Sequence, residues 1–217
     1  MKSLFYTIVS FLLLSCSTSQ DNSIYVRGSE FLYEVEISDG NNILDTQSIL
    51  LRVPSEGVSR FTYGQTGIQY LYITLSESDG DTLTEVTGVV ESSDKIYLHP
   101  PRKDFMAFAE IPPQPQISLP LKVGNYSETE LKIAKGWGEL NGKKIKQSLK
   151  VAGGDELKMY GHSYDSLWLI EGKNISHLNE LGQYSVTYWF DEKLGFIRMK
   201  YTKPDSTIVD LKLKKFN

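Results

Sequence analysis

The sequence predicts an all-β protein, a large twisted antiparallel sheet curled into an open or flattened barrel, with a two-sheet sandwich as the alternative. Three observations carry this expectation. Apolar residues recur at every second position in several runs, the period of a strand with one buried face. Gly and Asx-type turn signals return about every eight to fifteen residues, the spacing of short strands. Sustained helical periodicity is hard to find anywhere beyond the N-terminus.

The first run is Phe31, Tyr33, Val35 and Ile37, alternating with Leu32, Glu34, Glu36 and Ser38 and closed by Asp39-Gly40-Asn41-Asn42. Gln69 to Leu75 is rich in tyrosine and β-branched residues, and Ser78-Asp79-Gly80-Asp81 turns it into Thr82 to Val90, a hairpin. Glu128 to Lys135 reads two ways. Ser127 as N-cap with Glu130 as its capping-box partner favours two helical turns, but Gly136-Trp137-Gly138 cuts them short and a strand fits equally. Tyr184, Val186, Tyr188 and Phe190 share one face of a later strand. A turn at Asp191 to Leu194 leads into Gly195 to Thr202, and Lys203-Pro204-Asp205-Ser206 leads into Thr207 to Leu213. The three segments predict an antiparallel meander.

Six of the eight prolines fall between Pro100 and Pro120. Proline has no N–H for a ladder, so this stretch is an edge, loop or crossover rather than a central strand. It also holds Phe105, Met106, Phe108, Ile111, Ile117, Leu119 and Leu121, too much apolar surface for a solvated linker. A crossover packed on one shared core is expected.

The N-terminus carries an address. Lys2 precedes an apolar stretch from Leu4 to Leu14, too short to span the roughly 20 residues that a bilayer crossing takes. A charged start, a short apolar segment and a small residue before the cut mark a secretory signal. Leu13-Leu14-Ser15-Cys16 resembles the lipobox of bacterial lipoproteins. That resemblance implies a diacylglyceryl group on the Cys16 thiol, cleavage before it and acylation of its amino group. Cys16 is the only cysteine, so no disulfide can form within the chain. The expected organisation is a signal peptide at 1–15, a short polar tether at 16–23, and one β-rich domain at 24–217 with its proline-rich crossover at 100–120. Resemblance to other lipoproteins bears on sorting too. Ser17 stands where an inner-membrane retention signal has Asp, and only Asp21 follows where a surface-display signal has an acidic run. The expected location is the outer membrane, facing the periplasm.

Two further segments carry a family resemblance. Tyr97-Leu98-His99-Pro100-Pro101-Arg102, with Phe105, Glu110-Ile111-Pro112-Pro113, Leu119-Pro120-Leu121 and Val123-Gly124, resembles a family of uncharacterised envelope lipoproteins. Tyr188-Trp189-Phe190, Leu194-Gly195-Phe196-Ile197 and Tyr201 are similar to the closing meander of those proteins. The pieces span roughly the C-terminal half. The chain departs from the pattern at Tyr126, where the family usually has Trp. The resemblance implies the envelope address and the β fold, and no activity.

The remaining chemistry is sparse. Gly161-His162-Ser163-Tyr164-Asp165 comes close to a nucleophile elbow, but Asp165 replaces its closing glycine and Leu167-Trp168-Leu169-Ile170 reads as strand where the elbow needs a helix. A polar turn explains it. His99, His162 and His177 show no local metal-ligand spacing, and Asp79-Gly80-Asp81 lacks the spacing of a calcium loop. No catalytic residue, metal site or cofactor is therefore expected. With a net charge of −4, made one unit more acidic by removal of Lys2, the chain lacks a nucleic-acid footprint. Lys212, Lys214 and Lys215 alternate with Leu211, Leu213 and Phe216 and fit the wet face of a last strand. Aromatic residues make up 12% of the chain, including Trp137, Trp168, Trp189 and thirteen tyrosines; half-buried strands account for most of that. The expected partners are the membrane, through lipidated Cys16, and an apolar or amphipathic ligand or an envelope protein. A glycan-binding module using exposed tryptophan and tyrosine, and a hydrolase built on Ser163 or on acidic residues, are the alternatives. A continuous apolar cavity would favour the ligand carrier, a shallow aromatic platform the glycan module, and a polar cleft with converging acid and base groups the hydrolase.

Overall fold

Phe31, Tyr33 and Val35 are buried while Leu32, Glu34 and Glu36 between them are half-exposed, so the period-two run forms a strand with one face on the core. This and the following observations come from a computed structural model that describes residues 23–56, 64–73, 82–133, 138–175 and 181–217. The strands are β1 (Glu30–Ser38), β2 (Ile43–Arg52), β3 (Thr66–Ile73), β4 (Leu83–Glu91), β5 (Lys95–Leu98), β6 (Gln116–Ser118), β7 (Tyr126–Lys132), β8 (Lys144–Met159), β9 (His162–Asn174), β10 (Ser185–Asp191), β11 (Gly195–Thr202) and β12 (Ile208–Phe216). Two 3₁₀ segments, Asp104–Glu110 and Gly138–Leu140, are the helical elements among the described residues.

All twelve strands belong to one antiparallel sheet in the order β6-β5-β4-β3-β2-β1-β12-β11-β10-β9-β8-β7. The expected all-β sheet is present, and it is one rolled sheet rather than the two-sheet sandwich. Each half of the chain runs as a meander from the centre to an edge or back, and β1 pairs with β12 in the middle. The sheet is not closed by hydrogen bonds, but its two edges meet. A gap of about 120 Å³ is lined by β6 on one side and by β7 and β8 on the other. The connector between the edges reinforces this seam, because Gly124 donates its N–H to the Val151 carbonyl and Asn125 accepts from the Val151 N–H.

The predicted meander is formed by β10, β11 and β12, with Tyr188 opposite Met199 and Tyr201 opposite Val209. The predicted hairpin is formed by β3 and β4, although its turn at residues 78–81 lies outside the described residues. The segment at 128–135 resolves as strand β7 as far as Lys132. Glu130 faces Lys146 across the β7–β8 ladder and sits 2.5 Å from the Lys144 ammonium in an ion pair, which gives no place to a capping box.

The proline-rich crossover plugs one end of the barrel. Met106, Phe108, Ala109 and Ile111 are buried, and Phe108 meets Tyr201 edge-on at 5.6 Å. Polar contacts seat it: Gln147 donates to the carbonyls of Ile111 and Pro112, and Tyr188 to that of Pro113. Tyr70 donates to the His99 carbonyl. Buried prolines lack N–H groups, and these side chains satisfy the carbonyls that the irregular backbone leaves over. Tyr33, Tyr70, Tyr188, Tyr201, Phe190 and Phe196 fill the interior, so the barrel is a packed core with no continuous apolar channel among the described residues.

β8 and β9 are longer than their neighbours and bend. Register shifts between Val151 and Gly153 and between Asp155 and Leu157 mark the bends, as bulges do. The tip is a two-residue turn at Tyr160 and Gly161 with φ of 52° and 81°, which glycine accepts freely. The Tyr160 hydroxyl donates to Glu34 at 2.6 Å, and the Lys214 ammonium lies over the Tyr160 ring. Glu34 is on the outer face of β1, four strands from β9. The hairpin therefore folds as a flap across the outside of the meander. Beneath it runs a charged ladder in which Arg198 grips Asp210, stacks on Trp189 at 4.6 Å, and neighbours the Lys212–Glu36 pair.

Candidate functional site

The end opposite the plug is a mouth. Its rim is built from the ends of β4, β6 and β10, the starts of β1, β5 and β11, and the connector at 119–125. Ser23, Ile24 and Tyr25 run across it as a strap. The Glu91 carboxylate holds the strap by accepting from the Ser23 hydroxyl at 2.6 Å and from the N–H groups of Ile24 at 2.7 Å and Tyr25 at 3.2 Å. Tyr25 is buried, its ring 5.4 Å from that of Phe31. The strap lies close against the β10–β11 turn. A Cβ on Gly195, whose φ is +80°, would stand 2.7 Å from the Tyr25 hydroxyl.

Beside the strap is a cavity of about 730 Å³. Ile24, Ile96, Leu121 and Phe190, all buried, form its floor with Leu119, and Glu91, Ser92, Ser93 and Glu192 form its rim. Glu192 also lines a second cavity of about 960 Å³, which extends toward the base of the flap. That half holds Val123, Leu167 and Trp168 as apolar surface and Asp155, Glu156, Asp165 and Asp191 as acids, against a single cation, Lys193. Some acids are engaged by the fold. Trp168 donates its indole N–H to Glu192, Trp189 donates to Asp155, and Asp191 accepts from the N–H groups of Lys193 and Leu194. The mouth thus carries an apolar-floored cavity and, beside it, an acidic groove that shares Glu192 with it.

Cys16, the lipid-attachment residue expected from the sequence, lies outside the described residues, as do Trp137 and His177. His162 and Ser163 sit on the exposed flap, with Ser163 paired to Lys158 across the β8–β9 ladder. The elbow-like motif is a hairpin. His99 is half-buried in the crossover, its ring 4.3 Å from that of Tyr97, and burial, assisted by Arg102, pulls its pKa below the ordinary histidine value. Burial likewise pushes the Tyr97 phenol up to about 12. No group of three or more His, Cys, Asp or Glu among the described residues is placed to hold a metal ion. Trp189 is covered by Arg198, and Trp168 is tied to Glu192 by its indole N–H.

The His-Pro-Pro-Arg segment has a structural role at the plugged end. Buried Glu85 accepts from the Tyr72 hydroxyl at 2.7 Å, from the Arg102 N–H at 2.8 Å and from the Arg102 guanidinium at 3.2 Å. The motif thereby locks the crossover to β3 and β4. The acids of the groove were missed by sequence reading. Their one local signal is Gly153-Gly154-Asp155-Glu156, a bend followed by acids, facing Asp165 across the tight Tyr160-Gly161 turn.

No protein-family model matches the chain, and no curated protein is similar to it at a meaningful level. Solved structures share its architecture. A protein described as a lipoprotein from Parabacteroides distasonis superimposes with a TM-score of 0.52 at 8% identity, covering 90% of this chain and 98% of that one. A protein from Bacteroides fragilis described as exported and YmcC-like in fold gives 0.49 at 9% identity, over 88% and 96%. A β-barrel-like protein of the domain of unknown function DUF1849 from Brucella abortus gives 0.45 at 10%, over 88% and 98%. The Parabacteroides likeness shows a shared rolled-sheet fold.

Proposed function

We propose that this protein is a lipoprotein of the bacterial envelope, anchored through Cys16 to the outer membrane on its periplasmic side, and that it takes an amphipathic ligand into the barrel mouth. The observation that carries the reading is the strap. The first described residues cross the mouth, and Ser23 and Ile24 line the apolar-floored cavity itself. A tether from Cys16 to Ser23, extended at about 3.5 Å per residue, reaches roughly 25 Å. The mouth therefore stays within one short tether of the lipid head groups, where amphipathic molecules are concentrated. Several acyl chains on one cysteine hold a protein on a membrane far more firmly than the reversible binding of a single chain. The Parabacteroides distasonis protein of the same fold is described as a lipoprotein, the class assigned here.

The test has two arms. Cys16→Ala should release the protein from the membrane fraction or leave an unprocessed precursor, and normal retention of that variant would end the anchoring claim. Native mass spectrometry of protein taken gently from membranes should show a co-purifying lipid-like mass. Introducing a charge on the cavity floor with Leu121→Glu should remove that mass while the fold survives. A ligand mass unaffected by that change would place the binding elsewhere.

A further inference from the structure

The two halves of the mouth differ in chemistry, and the difference specifies the ligand. On the strap side the floor is aliphatic and aromatic. On the flap side the lining carries acids and one lysine. Asp155, Asp191 and Glu192 are each committed to a neighbour in the fold. Glu156 and Asp165 are not: among the described residues their carboxylates have no hydrogen-bond or ion-pair partner.

Both side chains are exposed on the groove lining. Asp155 pairs with Leu167 and Leu157 with Tyr164, so Glu156 falls in the bulge directly opposite Asp165 and Ser166. Like charges facing each other across adjacent strands repel. The bulge that bends the flap also aims these two groups at the groove, a use to which bulges are often put. A cation lying between them would pair with both without displacing any existing contact. An anionic head group would meet five carboxylates and a single lysine.

We propose that the mouth is selective for an amphipathic cation, with its alkyl chain on the floor formed by Ile96, Leu121 and Phe190 and its ammonium or guanidinium head at Glu156 and Asp165. The inference rests on the mouth being the binding site. Trp168, which lines the groove, is a built-in fluorescent reporter. Burying a methylene is worth roughly 0.8 kcal/mol, so shortening the tail by two carbons weakens binding about tenfold. The charge contribution is exposed to solvent and falls as salt rises past about 0.1 M.

The experiment uses the full chain carrying Cys16→Ser, so that no lipid anchor sequesters the probes, and titrates it with decyltrimethylammonium, decyl maltoside and decyl sulfate below their micellar concentrations. Calorimetry reports binding, as does intrinsic tryptophan fluorescence compared between this protein and its Trp168→Phe variant. The cation should bind at least about tenfold more tightly than the sulfate at low salt, with the gap closing at high salt. Octyltrimethylammonium should bind about tenfold more weakly than its decyl analogue. Glu156→Gln with Asp165→Asn should abolish the preference while leaving decyl maltoside affinity and thermal stability intact. If decyl sulfate or maltoside binds as tightly as the cation, the charge selectivity is wrong and the mouth remains the site. If none of the three binds, the mouth reading falls and the selectivity with it.

Discussion

Glu91, at the end of β4, holds Ser23 through a 2.6 Å hydrogen bond across 68 positions of sequence, and the same carboxylate receives the next two backbone N–H groups. A single side chain therefore fixes where the N-terminal segment leaves the barrel. Glu91→Ala leaves two partly buried N–H groups without an acceptor, each worth about 1–3 kcal/mol when fully desolvated. We expect a loss of about 1–2 kcal/mol in urea unfolding and much faster proteolysis N-terminal to Glu30. Unchanged protease resistance would show that Tyr25 and its packing hold the strap unaided.

Gly195 tests that packing. Its φ of +80° already disfavours a side chain, and the Tyr25 hydroxyl occupies the space a Cβ needs. Gly195→Ala should destabilise by about 1–3 kcal/mol, the range for backbone strain and overpacking. The substitution should also loosen the strap. Truncating the facing side chain in Gly195→Ala/Tyr25→Ala should give a total smaller than the sum of the single effects, measured as a double-mutant cycle.

The plug at the opposite end depends on Glu85. Removing one partner of a buried ion pair costs about 3–5 kcal/mol. Here Arg102 is 30% exposed and can rehydrate, which brings the expectation for Glu85→Ala to about 2–4 kcal/mol by denaturant midpoint. Tyr72→Phe, which removes one of three bonds to that carboxylate, should cost about 1 kcal/mol.

His99 gives the fold an acid-sensitive point. Its folded-state pKa is depressed, chiefly by burial and then by Arg102, with Glu85 acting in the opposite direction. The unfolded chain therefore binds the proton more readily, so stability is full above the unfolded pKa of about 6.5 and falls as pH drops through the lower folded value. Comparing wild type with His99→Gln from about pH 7.5 down to about pH 5 isolates this component. The wild type should lose more stability than the variant over that window, and parallel profiles would contradict it.

The flap should open without global unfolding. Its tip contact, Tyr160 to Glu34, is exposed, and exposed polar contacts contribute little. The Lys214 ammonium, and after it the Tyr160 hydroxyl, hold the Glu34 carboxyl below its ordinary range, so this contact persists at moderately acid pH and is lost only as pH falls through that lowered value. Asp155→Ala with Tyr160→Phe should speed hydrogen exchange in residues 153–168 while the exchange of β11 and β12 stays as it was. Uniformly faster exchange would mean that the flap and meander open together.

Much of this architecture was legible because one-sided burial leaves a period-two trace. Phe31 to Ile37 and Tyr184 to Leu213 show it in the sequence and again in their burial. The segment at 128–135 was ambiguous because a capping-box pattern and a strand pattern coincide there, and pairing with β8 decides it. The pairing of β1 with β12 leaves no local trace, since it joins residues nearly a whole chain apart. The length of β8 and the bends of the flap were hidden for a related reason, because a bulge breaks the alternation by which strands are recognised. The mouth was the least legible feature. Ile24, Glu91 with Ile96, Leu121, and Phe190 with Glu192 come from four distant stretches of the chain.

The central pairing of β1 with β12 has a topological consequence. Glu30 and Asn217 exchange backbone hydrogen bonds in both directions, so the two ends of the folded chain are already neighbours. Linking residue 217 to residue 23 and cutting the connector at 119–125 would set the strands side by side in their order along the chain, a plain twelve-stranded up-and-down sheet. Such a circular permutant breaks no strand pairing in the sheet, although its cut must spare the Gly124 and Asn125 bonds to Val151. Because the connector lines the same mouth as the strap, the new N-terminus would emerge at that mouth. A lipid attached there would present the same end of the barrel to the membrane by an entirely different path of the chain.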